Sequence, residues 1–359
     1  MERAAIALPP TCGVSSGALP RYRAFMDVTT VADDLIVVHD GTTVRRFEGL
    51  TAGHDYEVMG HTVRTLPRPA GELRCRIATV NDVHFGELEC GRIGDHVEGP
   101  IQRSAAGEPP YPQTMNEGAV AEIVAAAPAA VIVKGDTSND GQADEFAAFE
   151  ACYGSAFGDR LHVVRGNHDA YQGQEHYAGD QLIVLPGAAV ALLDTVIPQA
   201  SGGTLRPAQL EWLDTVGAEA DGPVLVMGHH QQFLGSADDH RGEGYFGLQP
   251  DASATLSEVF ARRPALVAYT AGHTHRHRRR FMPCGAPSIE VGCVKDFPGT
   301  WAEYRVYDGG IMQVVHRIST PAALAWSERC RHLYADFGVD YETYALGTLE
   351  DRCCTIPLR

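Results

Sequence analysis

Apolar and polar positions along the chain fall into three regimes. Over residues 21–66, short β-forming runs at 35–38, 44–47, 56–59 and 62–65 alternate with turn signals at Asp40-Gly41 and Ala52-Gly53. This pattern predicts a small antiparallel sheet or sandwich. Pro67, Pro69 and Gly71 then break the alternation and mark a linker. From Arg74 to about Ile318 the period changes. Apolar runs at 77–80, 131–133, 161–164, 224–227 and 266–271 alternate with segments at 117–127, 142–153, 207–219 and 252–263, whose apolar residues recur at helical spacing. Pro207 stands where a first helical turn accepts proline. Strands alternating with helices predict a layered α/β domain. The Gly- and Pro-rich stretch 90–112 reads as a long functional loop. After Ile318, STPAALAWSERCRHLYADFG predicts one amphipathic helix with Leu324, Cys330, Leu333 and Phe337 on its apolar stripe, and a tail with Tyr341 and Tyr344 follows. Docking of that stripe on the core is the first reading, and dimerisation or lid formation the second. The expected division is 1–72, β-rich; 73–318, main domain; and 319–359, C-terminal segment.

Each of the five apolar runs ends near a polar cluster. In order these are Asn81-Asp82-Val83-His84, Gly135-Asp136, Gly166-Asn167-His168-Asp169, Gly228-His229-His230 and Gly272-His273-Thr274-His275. Ligand crevices of open α/β sheets lie at the carboxyl ends of the strands, so clusters spread over nearly 200 residues can converge on one site. Carboxylates, an asparagine and several imidazoles placed there carry a desolvation cost that a pair of divalent metals would offset. Imidazole and carboxylate suit Zn, Mn, Fe or Co. Asp82 and His84, two apart on an extended strand end, are expected to point to one side, as are His273 and His275. Asp136 offers two oxygens for a bridge, and Asn167 a neutral carbonyl.

Charge and cysteine usage narrow the setting. Against 46 acidic side chains stand 29 basic ones, a net charge of −17, which argues against coating a nucleic acid or an acidic membrane. No apolar run reaches the roughly 20 residues of a membrane-spanning helix. The apolar stretch at 4–8 is short and stopped by Pro9 and Pro10, unlike a secretory leader. Nine cysteines without a CxxC pair fit a reducing cytoplasm. The vicinal pair Cys353-Cys354 reads as buried and inert before it reads as redox-active. Lys134 and Lys295 are the only lysines, a scarcity read as compositional bias. The run Arg276, His277, Arg278, Arg279, Arg280 is read first as neutralising neighbouring acids and second as a site for another phosphate.

Taken together and in this order, the DxH, GD, GNHD, GHH and GHxH clusters resemble the calcineurin-like metallophosphoesterase superfamily over residues 74–315. The stretch from Leu193-Asp194-Thr195 to Gln209-Leu210-Glu211-Trp212-Leu213 is similar to the bacterial 3',5'-cyclic nucleotide phosphodiesterase branch. The resemblance implies a four-layer αββα sandwich of two mixed sheets flanked by helices. It implies two divalent metal ions (Mn, Fe or Zn). Asp82, His84, Asp136 and His275 would hold the first, with Asp136 bridging, while Asn167, His229 and His273 complete the second. It further implies in-line attack on phosphorus by a hydroxide bridging the metals. His168 would serve the leaving oxygen with Asp169 orienting its ring, although Asp169 also suits a turn cap. His230 reads first as lying behind His229 and second as the ligand itself.

Departures from the pattern narrow the substrate. Position 139 is asparagine, without the tyrosine of ferric purple acid phosphatases, and Asp140 replaces the phosphate-binding arginine of protein phosphatases. Small phosphodiesters remain, cyclic nucleotides first. The alternatives are a broad phosphodiesterase or phosphomonoesterase, then a nuclease or a non-catalytic scaffold. Residues 47–66 (FEGLTAGHDYEVMGHTVRTL) resemble the end of a fibronectin type III domain, with Tyr56 placed as its corner tyrosine.

Overall fold

Alternate residues of the central strands serve two different cores. In β6 (Leu73–Val80), Cys75 and Ile77 face one side while Ala78 and Val80 face the other; β7 (Ala130–Lys134) divides Ile132 from Val131 and Val133 in the same way. Burial on both faces is why these strands read as continuous apolar runs. The computed structural model describes residues 26–92, 100–235 and 245–359. The stretch at 4–8, Cys12 and part of the 90–112 loop lie outside them.

The N-terminal strands are β1 (Met26–Val31), β2 (Leu35–Asp40), β3 (Thr43–Glu48), β4 (Asp55–Val58) and β5 (His61–Arg64). The main-domain strands following β7 are β8 (Leu161–Val164), β9 (Gln181–Leu185), β10 (Ala188–Leu193), β11 (Val224–Gly228), β12 (Leu266–Ala271), β13 (Arg278–Phe281), β14 (Pro287–Glu290), β15 (Thr300–Tyr307) and β16 (Gly310–Arg317), and β17 (Cys354–Pro357) closes the chain. The helices are α1 (Tyr111–Ala126), α2 (Ala143–Phe149), the single turn α3 (Ser155–Phe157), α4 (Pro207–Glu219), α5 (Pro250–Arg262), α6 (Pro321–Arg329), α7 (Tyr341–Leu346) and α8 (Leu349–Arg352).

Two six-stranded sheets carry the domain, ordered β17-β16-β15-β6-β7-β8 and β13-β14-β12-β11-β10-β9. Both are mixed. β6, β7 and β8 run parallel with β15 antiparallel beside them; β10, β11, β12 and β14 run parallel between antiparallel β9 and β13. Ile77, Ile132 and Val164 of the first sheet meet Val190, Leu225 and Met227 of the second in the inter-sheet core. Helix α1 lays Met115, Ala119 and Ile123, spaced four apart, on the outer face of the first sheet. Leu210, Leu213 and Val216 of α4, with Leu256, Val259 and Phe260 of α5, cover the second. The layering is helix, sheet, sheet, helix, the expected four-layer sandwich.

Two expectations about helices change. The predicted 142–153 helix is α2 followed by a wider turn over 150–154. The single helix predicted after Ile318 ends at Arg329, and Tyr334 takes a left-handed φ of 61°. The break lets the buried Arg331 pair with Glu328 at 2.7 Å, Asp27 at 3.0 Å and Glu342 at 2.9 Å, three acids no continuous helix face presents. Cys330 and Leu333 are still buried, and Phe337 is half-buried.

The β1-β2-β3 sheet packs on β16 through Val31, Ile36 and Val38 against Met312 and Val314. Thr30 Oγ1 donates to Val315 O at 2.7 Å, and Arg305 reaches Asp33 at 2.7 Å. The Tyr56 hydroxyl accepts from the Thr51 amide at 2.8 Å, tying the β4-β5 hairpin to its preceding loop.

Candidate metal centre

β6, β7 and β8 are adjacent and parallel, as are β11 and β12 of the facing sheet, so all five polar clusters emerge at one edge of the sandwich. The backbone there is strained. Asp82, His84, Asp136, His273 and His275 have φ of 52°, 48°, 52°, 69° and 54°. For residues with a Cβ this left-handed conformation costs roughly 1–2 kcal/mol each, and such costs gather at functional sites. The expectation of an extended strand end at Asp82–His84 and His273–His275 is therefore corrected. Left-handed turns, held by Val83 N and His84 N donating to Asp136 O at 3.0 Å, bring the side chains inward. At Gly135 and Gly166 a Cβ would lie within 2.6 Å of His229 and 2.2 Å of Asp136, so only glycine lets these loops close.

The side chains gather in two adjoining sets. Asp82, His84 and His275 form one, their ligand atoms within 4.8 Å of one another, with His275 Nε2 at 3.7 Å from Asp82 Oδ1. In the other, His229 Nε2 stands 2.9 Å from Asn167 Oδ1 and 3.1 Å from His273 Nδ1. Asp136 lies between them: its Oδ2 is 3.3 Å from His229 Nε2 and 3.5 Å from His84 Nε2. All seven residues called from the sequence thus converge.

Hydrogen bonds fix which nitrogen faces inward. His229 Nδ1 donates to the Lys134 carbonyl at 2.8 Å, and His275 Nδ1 to Asp296 Oδ2 at 3.2 Å, so in the neutral ring that a metal ion would bind, the lone pair is on Nε2 and faces the centre. Asn167 Nδ2 donates to the Tyr171 hydroxyl at 2.6 Å, which turns its carbonyl oxygen towards His229. Buried His84 finds no hydrogen-bond partner for either ring nitrogen among the described residues. Buried orphan nitrogens beside two buried carboxylates, with nitrogen and oxygen donors throughout, fit a pair of divalent ions.

The electrostatics are those of a shared, desolvated cluster. Burial, reinforced by His168 and Lys295, holds His84 well below its usual range, and burial does the same to His273. Burial opposes charge on His229, but neighbouring Asp136 outweighs it and lifts the imidazole to about 9. Burial likewise opposes charge on Asp136, yet the surrounding His229, His168 and His84 keep it well below the carboxylate range.

Half-exposed His168 sits at the rim, its ring 4.5 Å from that of His84. Its Nδ1 donates to the Asn139 carbonyl at 2.6 Å. Asp169 does not orient this ring, as the sequence reading expected. Its two oxygens accept from Thr137 N and Oγ1, Ser138 N and Oγ, and Gly166 N at 2.7–3.1 Å, which clamps the Gly135-Asp136 loop to the Gly166-Asn167 loop. Asp169 is the turn cap. His230 adjoins His229 and His273, its Nδ1 2.7 Å from Thr195 Oγ1 and its Nε2 without a hydrogen-bond partner among the described residues, so its ring stands within reach of the second set. Arg276 and Arg280 pair with buried Glu290 at 2.7 and 3.4 Å, in line with the neutralising reading of the basic run. Cys353 and Cys354 are buried free thiols.

Sequence reasoning missed Asp296, Tyr171 and the carbonyls of Lys134 and Asn139. A signal was present for the lysines. Both are buried around the centre, Lys134 Nζ donating to Ala271 O at 3.2 Å and Lys295 Nζ pairing with Glu87 at 2.7 Å, and in so lysine-poor a chain their positions were informative.

A family model described as calcineurin-like phosphoesterase matches residues 75–277. Over 206 residues, 54% of this chain and 78% of the relative, the sequence is 25% identical to a Synechococcus sp. protein named "Probable cyclic nucleotide phosphodiesterase". The fold is shared with a crystal structure of a dimetal phosphatase from Danio rerio, with a TM-score of 0.53, 15% identity, and coverage of 68% of this chain and 97% of that one. Among the described residues no helix is long and apolar enough to cross a membrane. With the matched segment spanning more than half the chain and ending just beyond the GHxH cluster, the chain belongs to the calcineurin-like phosphoesterase family and is a metal-dependent phosphoric ester hydrolase.

Proposed function

We propose that the chain is a dinuclear phosphodiesterase acting on small phosphodiesters, with 3',5'-cyclic nucleotides as the first candidate. The observation that carries this reading is the convergence of six nitrogen- and oxygen-bearing residues in two sets around a seventh, Asp136. Asp82, His84 and His275 would hold one ion, Asn167, His229 and His273 the other, and Asp136 both. When bound, the two ions supply Lewis acidity to the phosphoryl oxygens and lower the pKa of a water in the site. His168, fixed through Nδ1 by Asn139, presents Nε2 at the rim and passes a proton to the leaving oxygen. Asp169 keeps the two loops in register, so that Asp136 and Asn167 hold their places.

The cyclic-nucleotide choice is supported by the Synechococcus relative and by the GD and GNHD motifs without the tyrosine or arginine of other branches. Mn, Fe and Zn all suit the donors, and availability decides among them. The eight free cysteines among the described residues and the net charge of −17 support a cytoplasmic protein that binds no nucleic acid. The test is a hydrolysis panel with Mn²⁺-reconstituted protein: cyclic AMP, bis-p-nitrophenyl phosphate, p-nitrophenyl phosphate and single-stranded DNA. Turnover of cyclic AMP well above the generic diester is expected. Preference for the monoester or for DNA would overturn the substrate class.

A further inference from the structure

Behind His275 lies a buried polar cluster that the catalytic reading leaves unused. Asp296 is fully buried, 21 residues further along the chain, in the irregular segment between β14 and β15. Its Oδ2 accepts from His275 Nδ1 at 3.2 Å, and its Oδ1 from the Tyr341 hydroxyl at 2.8 Å and the Cys293 thiol at 2.9 Å. The Lys295 ammonium stands 3.6 Å from Oδ2. His275, Cys293 and Asp296 are close enough to hold an ion themselves. The fixed positive charge of Lys295 and the donors already occupying both oxygens argue against a third ion there. Asp296 has instead the partners of a carboxylate that fixes an imidazole.

We propose that Asp296 is a positioning residue for the first metal set, and that Tyr341 extends this support to the C-terminal helix α7. This inference rests on the dinuclear reading above. Helix α7 also grips the loop bearing the ligand directly. Tyr344 donates to the Thr274 carbonyl at 2.9 Å, between His273 and His275, and His277 N donates to Ala345 O at 3.1 Å. His275 is therefore held from behind by a segment over 60 residues away in sequence, and its Nε2 direction depends on that contact. Outer-shell carboxylates of this kind raise ligand basicity and hold ring orientation; losing one typically costs 10–100-fold in metal affinity.

The experiment is a Mn²⁺ titration of the full-length chain by equilibrium dialysis, with thermal unfolding of the metal-free protein as a check on the fold. Asp296→Asn should weaken one of the two sites by about 10–100-fold and leave the other unchanged. Tyr341→Phe, which removes one hydrogen bond to Asp296, should weaken the same site by about 5-fold. In an Asn167→Ala background, where only the first set is intact, Asp296→Asn should weaken the remaining ion by the same factor. Unchanged affinity at both sites in Asp296→Asn, or equal weakening of both, would overturn the proposal. If Asp296→Asn fails to fold, an unchanged Tyr341→Phe titration overturns it instead. A wild-type chain that binds no Mn²⁺ contradicts the dinuclear reading itself, and the inference with it.

Discussion

His229 and His275 stand in the two halves of the candidate centre and are aimed by different chemistry. His229 is steered by a main-chain carbonyl at the end of β7, Lys134 O at 2.8 Å. His275 is steered by a side chain, Asp296 Oδ2 at 3.2 Å, itself bonded to Tyr341 of the C-terminal helix. No substitution deletes a carbonyl, and this one moves only with its sheet. A carboxylate can be removed, and its position follows whatever packs behind it. The second half of the centre is thus built into the sandwich, whereas the first depends on contacts made late in the chain.

Breaking the second half directly should have the largest effect. Asn167→Ala or His273→Ala is expected to lower turnover by well over 100-fold, more than loss of an outer-shell partner, with one metal lost and unfolding of the metal-free protein little changed. Elemental analysis beside an activity assay checks both parts, and full metal content with full activity would show the assignment to be wrong. His168→Ala removes no ligand from either half, although the His168 ring packs on His84. It should lower kcat by about 100-fold or more while both metals stay bound, most severely for substrates with poor leaving groups. A smaller effect sharpens the comparison: Tyr171→Phe frees the Asn167 amide to flip and should weaken the second site about 5-fold, leaving the first unaffected.

The substitution with the smallest effect on the centre lies away from it. Burial, then Arg317, pushes His39 down to about 3, where its Nδ1 meets Thr29 and its Nε2 meets Ser319. The unfolded chain takes up a proton below about pH 6.5 that the folded chain refuses until about pH 3. Stability from this group is therefore complete above pH 6.5 and declines on acidification, by about 1.4 kcal/mol per pH unit between those limits. Denaturant melts of the metal-free chain at several pH values should show a slope to which buried His84 and His273 also contribute, and His39→Gln should make it shallower by about that amount.

How much of this was legible in the chain follows from which interactions are local. The strands at 77–80, 131–133 and 224–227 are buried on both faces and announce themselves as apolar runs, and helix Pro207–Glu219 carries its own start signal in Pro207. The ligand clusters were legible because glycine and several metal-ligand residue types recur after each run. The left-handed φ of Asp82, His84 and Asp136 was not, since aspartate and histidine adopt that conformation more often than most residues but still only in a small minority of positions, and here neighbouring loops impose it. Asp169 was misread for a related reason. Adjacency to His168 suggested a dyad, but its partners Thr137 and Ser138 lie 32 and 31 residues away. Asp296 and Tyr341 are distant from His275 in sequence and sit in no recognisable motif, so only the packed structure brings them together.

The central claim is that this one edge of the sandwich holds two metal ions. Elemental analysis of the purified chain after Mn²⁺ reconstitution and removal of free metal tests it most directly. Two ions per chain, falling to one in Asn167→Ala, is the predicted result. A wild-type chain that retains none, or an Asn167→Ala chain that still retains two, would contradict it.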